Sequence, residues 1–321
     1  MITRRSFLKA TSLLGCSSLA LGTSALGSVK NSSEDLTLSK LEINIPSLPV
    51  AFDGFRIGML SDPHLGTCSN GSLLKRAIDL LSSEKLDLLV LAGDYVLVLD
   101  LFASRFFYNH FSQSSYEQIC SKTIPTFEES LAQGEYFFKQ VALEATRLNP
   151  KHGIVAVLGN HDRWNSADNC CSILGNSGIK MLLNSSITVS SSGSELEIYG
   201  CDDYSTGIPQ APEPTKTTRI LVSHNPDFLS ELAESGTFDL GLAGHTHGGQ
   251  INLPALGPVA LNIKDSRLIQ GLISLNGTQI FVSRGIGTSG LPWRLNCPPE
   301  VNLLTLRSRE AQATSNRVSW A

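Results

Sequence analysis

Five of the chain's seven histidines (His64, His161, His224, His245 and His247) stand in short loops that follow apolar runs, most of them beside Gly, Asp or Asn. Asp62, Asp94, Asn160 and Asp162 stand in the same loops. A single histidine is more often a satisfied structural residue than a ligand. Five in equivalent positions are hard to explain that way. Carboxylate, amide and imidazole together suit a borderline divalent metal such as manganese, iron or zinc better than calcium.

The elements that must position these groups follow from periodicity. Leu41 to Ile45 alternates apolar and polar residues and reads as a strand ended by Pro46. Gly54 to Leu60 is a second strand running into Ser61-Asp62-Pro63-His64, and Leu73 to Leu81 has helical spacing. Leu88 to Ala92 is a continuous apolar run, the mark of a strand buried on both faces, and it ends at Gly93-Asp94. Ile154 to Leu158 repeats the pattern and ends at Gly159-Asn160-His161-Asp162. Glu195 to Tyr199, Arg219 to Val222 and Phe238 to Ala243 read as further strands, the last two ending at His224 and His245. Ligands gather outside the carboxyl ends of strands in layered α/β folds, so metal-type residues at successive strand ends predict one shared site. From about Thr217 the chain is rich in strands and turns, which predicts a second sheet packed on the first.

The blocks Asp62-Pro63-His64, Gly93-Asp94, Gly159-Asn160-His161-Asp162, Ser223-His224 and Gly244-His245-Thr246-His247 resemble, in order, the five signature blocks of the calcineurin-like metallophosphoesterase superfamily. Each alone is a weak signal, whereas five in order after apolar strands form a strong one. The match spans roughly Phe55 to Leu306. The runs Gly244–Ile251 and Arg284–Pro292, with Cys297-Pro298-Pro299-Glu300, are similar to a bacterial branch of exported or membrane-associated phosphodiesterases.

The resemblance implies an α/β fold, a four-layer αββα sandwich of two packed mixed β-sheets flanked by helices. It implies two divalent metal ions, manganese first, with iron or zinc as alternatives. Asp62, His64 and His247 would bind one ion, Asn160, His224 and His245 the other, and Asp94 would bridge them. Two ions roughly 3.5–4 Å apart deprotonate a shared water near neutral pH and polarise phosphoryl oxygens. His161 would donate a proton to the leaving oxygen or hydrogen-bond the phosphate, and Asp162 would orient His161 or brace the loop. Pro63 departs from the large apolar residue usual there, but it replaces no ligand. No ligand position is lost, which weighs against a degenerate member of the superfamily.

The chain of 321 residues carries a formal charge of −4, with 41% hydrophobic and 17% charged residues. Four basic residues (Arg4, Arg5, Lys9 and Lys30) and no acid fall in the first thirty, so 25 less 4 leaves 21 basic against 29 acidic residues in the remainder. That balance, without a basic stripe, excludes nucleic acid as an expected partner and disfavours a nuclease. Seven cysteines without C-x-x-C spacing indicate no disulfide framework.

Thr3-Arg4-Arg5-Ser6-Phe7-Leu8-Lys9 resembles a twin-arginine export signal, followed by a mildly apolar stretch from Ala10 to Gly27. Residues 1–30 are therefore expected to address the chain to the export machinery. Alternatively they form an uncleaved anchor on the cytoplasmic face of the inner membrane. Leu13-Leu14-Gly15-Cys16 also admits a lipoprotein reading. Residues 40–306 form the expected catalytic domain and 307–321 a flexible tail.

Between Asp94 and Asn160 the chain takes a long detour. Residues 97–140 hold seven of the thirteen phenylalanines and three of the six tyrosines, and Val96 to Phe111 is apolar nearly all round. Such a segment is buried or touches something apolar. It is either a helical decoration or a lid, including Phe106 and Phe107, that accepts a lipid chain or rests on a membrane surface. The expected function is hydrolysis of a phosphoester substrate, foremost a phosphodiester. The alternative is a pyrophosphatase for UDP-2,3-diacylglucosamine of lipid A synthesis, with the insert as acyl-chain lid. A metal-binding interaction module without turnover is the non-enzymatic alternative. Trp164 is expected to pack or to stack on a leaving group. Arg163 and Arg294 are expected to hold a phosphate or to form surface salt bridges.

Overall fold

The run from Leu88 to Leu91 is buried throughout, with Leu88 and Val90 in one core and Leu89 and Leu91 in another. Side chains alternate across a strand, so a strand apolar at every position needs cover on both faces. The structure, a computed structural model, describes residues 31–66, 69, 71–97, 127–259, 261–309 and 311.

The first strands are β1 (Thr37–Ile45), β2 (Arg56–Leu60), β3 (Leu65–Gly66), β4 (Leu88–Leu91), β5 (Val96–Leu97), β6 (Ile154–Ala156) and β7 (Lys180–Met181). There follow β8 (Ser185–Ser191), β9 (Ser194–Gly200), β10 (Thr218–Val222), β11 (Leu240–Ala243), β12 (Asn252–Leu253) and β13 (Gly257–Pro258). The last are β14 (Gly271–Leu275), β15 (Thr278–Val282) and β16 (Glu300–Ser308). One six-stranded sheet has the order β1-β16-β2-β4-β6-β7 and the other β14-β15-β11-β10-β9-β8. Both are mixed: β2, β4, β6 and β7 run parallel while β16 opposes β2, and the parallel β9, β10, β11 and β15 are flanked by antiparallel β8 and β14.

Among the described residues four helices cover the outer faces. Helix α1 (Ser72–Ser82) buries Leu74, Ala77, Ile78 and Leu81, the three- and four-residue spacing of one helical face. With α2 (Phe127–Ala145) and α3 (Asn160–Asn176) it packs on the first sheet. Helix α4 (Pro226–Leu232) opens with Pro226 at its first turn, and the Asn225 side chain accepts the Asp227 N–H. It covers the second sheet, packing Phe228 and Leu229 with Ile280 and Val282. A third core lies between the sheets, where Ile57, Met59 and Val90 meet Ile198, Ile220 and Leu242. The layers therefore run helix, sheet, sheet, helix.

The second sheet differs from expectation at both ends. It already includes β8 and β9, before Thr217, while β16 leaves it to sit in the first sheet between β1 and β2. The side chains of β16 explain this: Leu304 and Leu306 enter the inter-sheet core while Val301 faces the helices, so the strand needs cover on both sides. Of the expected insert only Leu97 and the part from Phe127 onward belong to the described residues. Phe106, Phe107, His110, residues 1–30 with Arg4, Arg5 and Cys16, and most of the tail lie outside them. Among the described residues no helix is long and apolar enough to cross a membrane.

Candidate metal centre

Each singled-out residue follows the carboxyl end of a strand. Asp62 and His64 follow β2, Asp94 follows β4, and Asn160, His161 and Asp162 follow β6 and open α3. His224 follows β10, and His245 and His247 follow β11. Three of these strands belong to one sheet and two to the other, so the site bridges the same edge of both layers.

The loops are held in an uncommon backbone conformation. Asp62, His64, Asp94, His245 and His247 have φ of 54°, 46°, 55°, 72° and 52°, in the left-handed region that side chains disfavour. Such strain persists only where the surroundings over-determine it. Here Asp62 N–H donates to Gly93 O, His64 N–H to Asp94 O, and Leu65 N–H to Tyr95 O. From the far end of the chain, Ile286 and Gly287 N–H donate to Ser61 O and Asp62 O. Gly93 is required by close approach: a Cβ there would lie 2.7 Å from Gly159 N and 2.8 Å from His224 Nδ1.

The side chains converge in overlapping groups. Ligand atoms of Asp62, His64 and His247 lie within 4.8 Å of one another, as do those of Asp94, His224 and His245, and of His64, Asp94 and His161. Asp94 Oδ2 is 3.1 Å from His224 Nε2 and 3.4 Å from His64 Nε2. His247 Nε2 is 3.5 Å from Asp62 Oδ1 and 3.0 Å from His64 Nε2. His245 Nδ1 is 3.2 Å from His224 Nε2. His224 Nδ1 lies 2.7 Å from Ala92 O, so it donates there and leaves Nε2 facing inward. His245 Nε2 lies 3.2 Å from both Asn262 O and Asn262 Nδ2, which holds the ring with Nδ1 inward.

Charge is distributed to match. Burial pushes the Asp62 carboxyl up, but His247, His64 and His224 outweigh it and hold the group below the usual carboxylate range. Burial likewise opposes ionisation of Asp94, and His224, His161 and His64 overcome it. Burial lowers His247 well below its ordinary value, aided by His64 and Arg294, and lowers His245, aided by His224. It pushes His161 down to about 3, with Asp94 opposing. His224 is the exception, raised against its burial by Asp94 and Asp62. Ionised carboxylates and mostly neutral imidazoles are the protonation states of metal ligands.

Two further observations test the fit of a metal. Asn160 Oδ1 and His64 Nδ1 are buried without any hydrogen-bond partner. A buried acceptor left unpaired calls for an ion or water. Oxygen and imidazole donors converging around these atoms are the chemistry of a divalent cation site. The residues present fit divalent metal ions.

Asp162, expected to orient His161 or to brace the loop, takes the bracing role. Its buried carboxylate accepts the N–H groups of Asp94 at 2.8 Å, Tyr95 at 2.8 Å and Gly159 at 2.9 Å. It is a positioning residue that ties the Gly93-Asp94 loop to the Gly159-Asn160 loop. Replacing Asp162 with Ala orphans three buried donors and should lower stability by about 3 kcal/mol, read as a fall in the urea midpoint. An unchanged midpoint would show that water satisfies them.

Arg294 is neither a phosphate clamp nor a surface ion pair. It is fully buried and donates to Gly287 O at 2.8 Å, Arg284 O at 2.7 Å and His247 O at 3.1 Å, so it fastens the Arg284–Pro292 run to a candidate ligand. Arg163 does form an ion pair, 2.9 Å from Asp202. Trp164 is half exposed, with its ring centroid 4.7 Å from that of His161.

One group escaped sequence reasoning. Asp203, at the end of β9, is fully buried with Oδ1 unpartnered, while Oδ2 accepts from Ser205 and Thr206. An acid just past a strand end was the signal that found the others.

The chain belongs to the calcineurin-like phosphoesterase family, whose model matches residues 55–249. It is 30% identical over 261 residues to phosphodiesterase YaeI of Escherichia coli (strain K12), covering 78% of this chain and 82% of that protein. It is 29% identical over 268 residues to the uncharacterized metallophosphoesterase YkuE of Bacillus subtilis (strain 168), covering 81% and 82% respectively. A crystal structure of a dimetal phosphatase from Danio rerio aligns at 13% identity and a TM-score of 0.42, over 73% of this chain and 88% of that one. The chain is thus a metallophosphoesterase, a hydrolase of phosphoester bonds.

Proposed function

We propose that the chain is a phosphodiesterase that works with two divalent ions, manganese first among them. The observation that carries this reading is the pair of ligand groups, Asp62-His64-His247 and Asp94-His224-His245, lying side by side with His161 reaching Asp94 and His64. Asn160 would complete the second group through its unpartnered Oδ1. When bound, such ions supply Lewis acidity toward a phosphoryl group and acidify a water.

The chain's own residues do the rest. Asp94 Oδ1 accepts the backbone N–H of His161 at 2.8 Å and so holds the loop from which the imidazole reaches the site. Being neutral, that ring offers a hydrogen bond to the leaving oxygen. An anionic phosphoryl group beside it raises its proton affinity, so the same ring can pass a proton to that oxygen. Trp164 closes one flank of His161 with an apolar face. YaeI is named a phosphodiesterase, which supports the diester over the monoester.

A second reading is hydrolysis of UDP-2,3-diacylglucosamine. The insert leaves at Leu97, three residues past Asp94, and re-enters at α2, which packs on α3, where Asn165 Nδ2 donates to Ser130 O at 2.9 Å. Both ends of an apolar segment thus flank the site. Residues 1–30 support an exported or membrane-associated protein.

The test is hydrolysis of bis-p-nitrophenyl phosphate, p-nitrophenyl phosphate and the lipid nucleotide, with manganese and after chelation. Chelator-sensitive turnover of the diester above the monoester is expected. Faster turnover of the lipid nucleotide would favour the second reading, and turnover that survives chelation would overturn both.

A further inference from the structure

The hairpin β12–β13 and the loop at 289–296 form a corner with unusual exposure. Leu256 is 80% exposed, Trp293 44% and Val259 39%, three of the nine large apolar side chains exposed among the described residues. From Ile251 to Leu261 there is no charged residue, and in the loop the single charge, Arg294, is buried. A scattered exposed leucine needs no explanation, but an uncharged protrusion carrying Leu, Val and Trp does.

A second observation concerns where the chain enters. The first described residue, Asn31, forms an antiparallel bridge with Leu295. Ser32 N–H donates to Arg294 O at 2.7 Å, and Arg294 N–H donates to Ser33 Oγ at 2.7 Å. Asn31, which follows residues 1–30 and their uncharged stretch from Ala10 to Gly27, therefore sits at this same corner.

We propose that this corner faces a lipid bilayer, with Leu256, Val259 and Trp293 entering the boundary between headgroups and acyl chains. Tryptophan favours that boundary because its ring is apolar and its N–H remains in reach of polar partners. With no exposed basic residue in either segment, the attraction is apolar rather than electrostatic, so salt does not release it.

The corner is tied firmly to the metal centre. The Gln250 side chain donates to Ser289 O and Leu291 O, and Leu295 N–H donates to Gln250 O. Gln250 N–H in turn donates to His247 O. A bilayer under the corner would thus be registered against the site without any moving part. The inference assumes nothing about the substrate and stands apart from the proposed activity.

The test uses the full chain with Trp164→Phe and Trp320→Phe, which leaves Trp293 as the sole tryptophan reporter. Vesicles of phosphatidylethanolamine and phosphatidylglycerol, with or without bromine on the acyl chains, are the probe. Brominated vesicles should cut Trp293 emission by about half, as for a side chain at the acyl boundary, and high salt should not restore it. Leu256→Asp with Val259→Asp should reduce that quenching several-fold while the circular dichroism spectrum stays unchanged. Vesicle-bound protein with unquenched Trp293 would overturn the proposal. So would a Trp293 already shielded from acrylamide before vesicles are added, which would assign the corner to the chain's own residues 1–30.

Discussion

Replacing Asp94 with Asn should abolish turnover of bis-p-nitrophenyl phosphate, lowering kcat by about 10³-fold or more, equivalent to about 4 kcal/mol of barrier. Asp94 Oδ2 lies 3.1 Å from His224 and 3.4 Å from His64, so it stands in the group of His224 and His245 and also in that of His64 and His161. Its Oδ1 accepts the backbone N–H of His161, so the same carboxylate also holds the start of the loop that carries that imidazole. Asparagine keeps the volume, removes the charge and turns one oxygen into a donor. Metal content per chain, measured by atomic emission after dialysis, should fall with activity. A variant that keeps both full metal content and full turnover would remove Asp94 from the centre of the mechanism.

His161→Asn should lower kcat by about 10²–10⁴-fold, the range for losing a positioned proton donor. His161 has two candidate roles in the geometry. It shares a cluster with His64 and Asp94 from which it can bind metal, and its ring lies between His64 and Trp164, with centroids 4.8 Å and 4.7 Å away. The measurement separates them. Full metal content with lost turnover makes His161 a catalytic residue. Loss of metal alongside turnover makes it a ligand, and undiminished turnover excludes both.

The candidate site was largely legible in the sequence because the backbone does most of the gathering. A strand apolar at every position must lie inside a sheet, and a polar group just past its end must emerge at that sheet's edge. Asp62, Asp94, Asn160, His224 and His245 all obey this rule. What stayed hidden depends on long-range packing. Asp162 reaches the N–H groups of Asp94 and Tyr95 across 68 and 67 residues, which no local pattern encodes. Arg294 reads as a surface cation because arginine is seldom buried, yet five carbonyl oxygens within hydrogen-bond reach replace water around it. The hairpin of β8 and β9 was half missed because Ser185–Ser191 is serine-rich and weakly apolar.

The place of β16 has a consequence for how the molecule comes into being. Among the described residues strand β1 pairs with β16 alone in its sheet, and β2 reaches β1 only through it. The backbone of Asp62 is likewise held by Gly287. A nascent chain still on the ribosome has neither partner, so the first strand waits unpaired through most of translation. Closure of the Asp62 loop is therefore a late event of synthesis, and a premature stop before Glu300 would remove β16 and cut β1 off from β2, while β2, β4, β6 and β7 keep their own pairing.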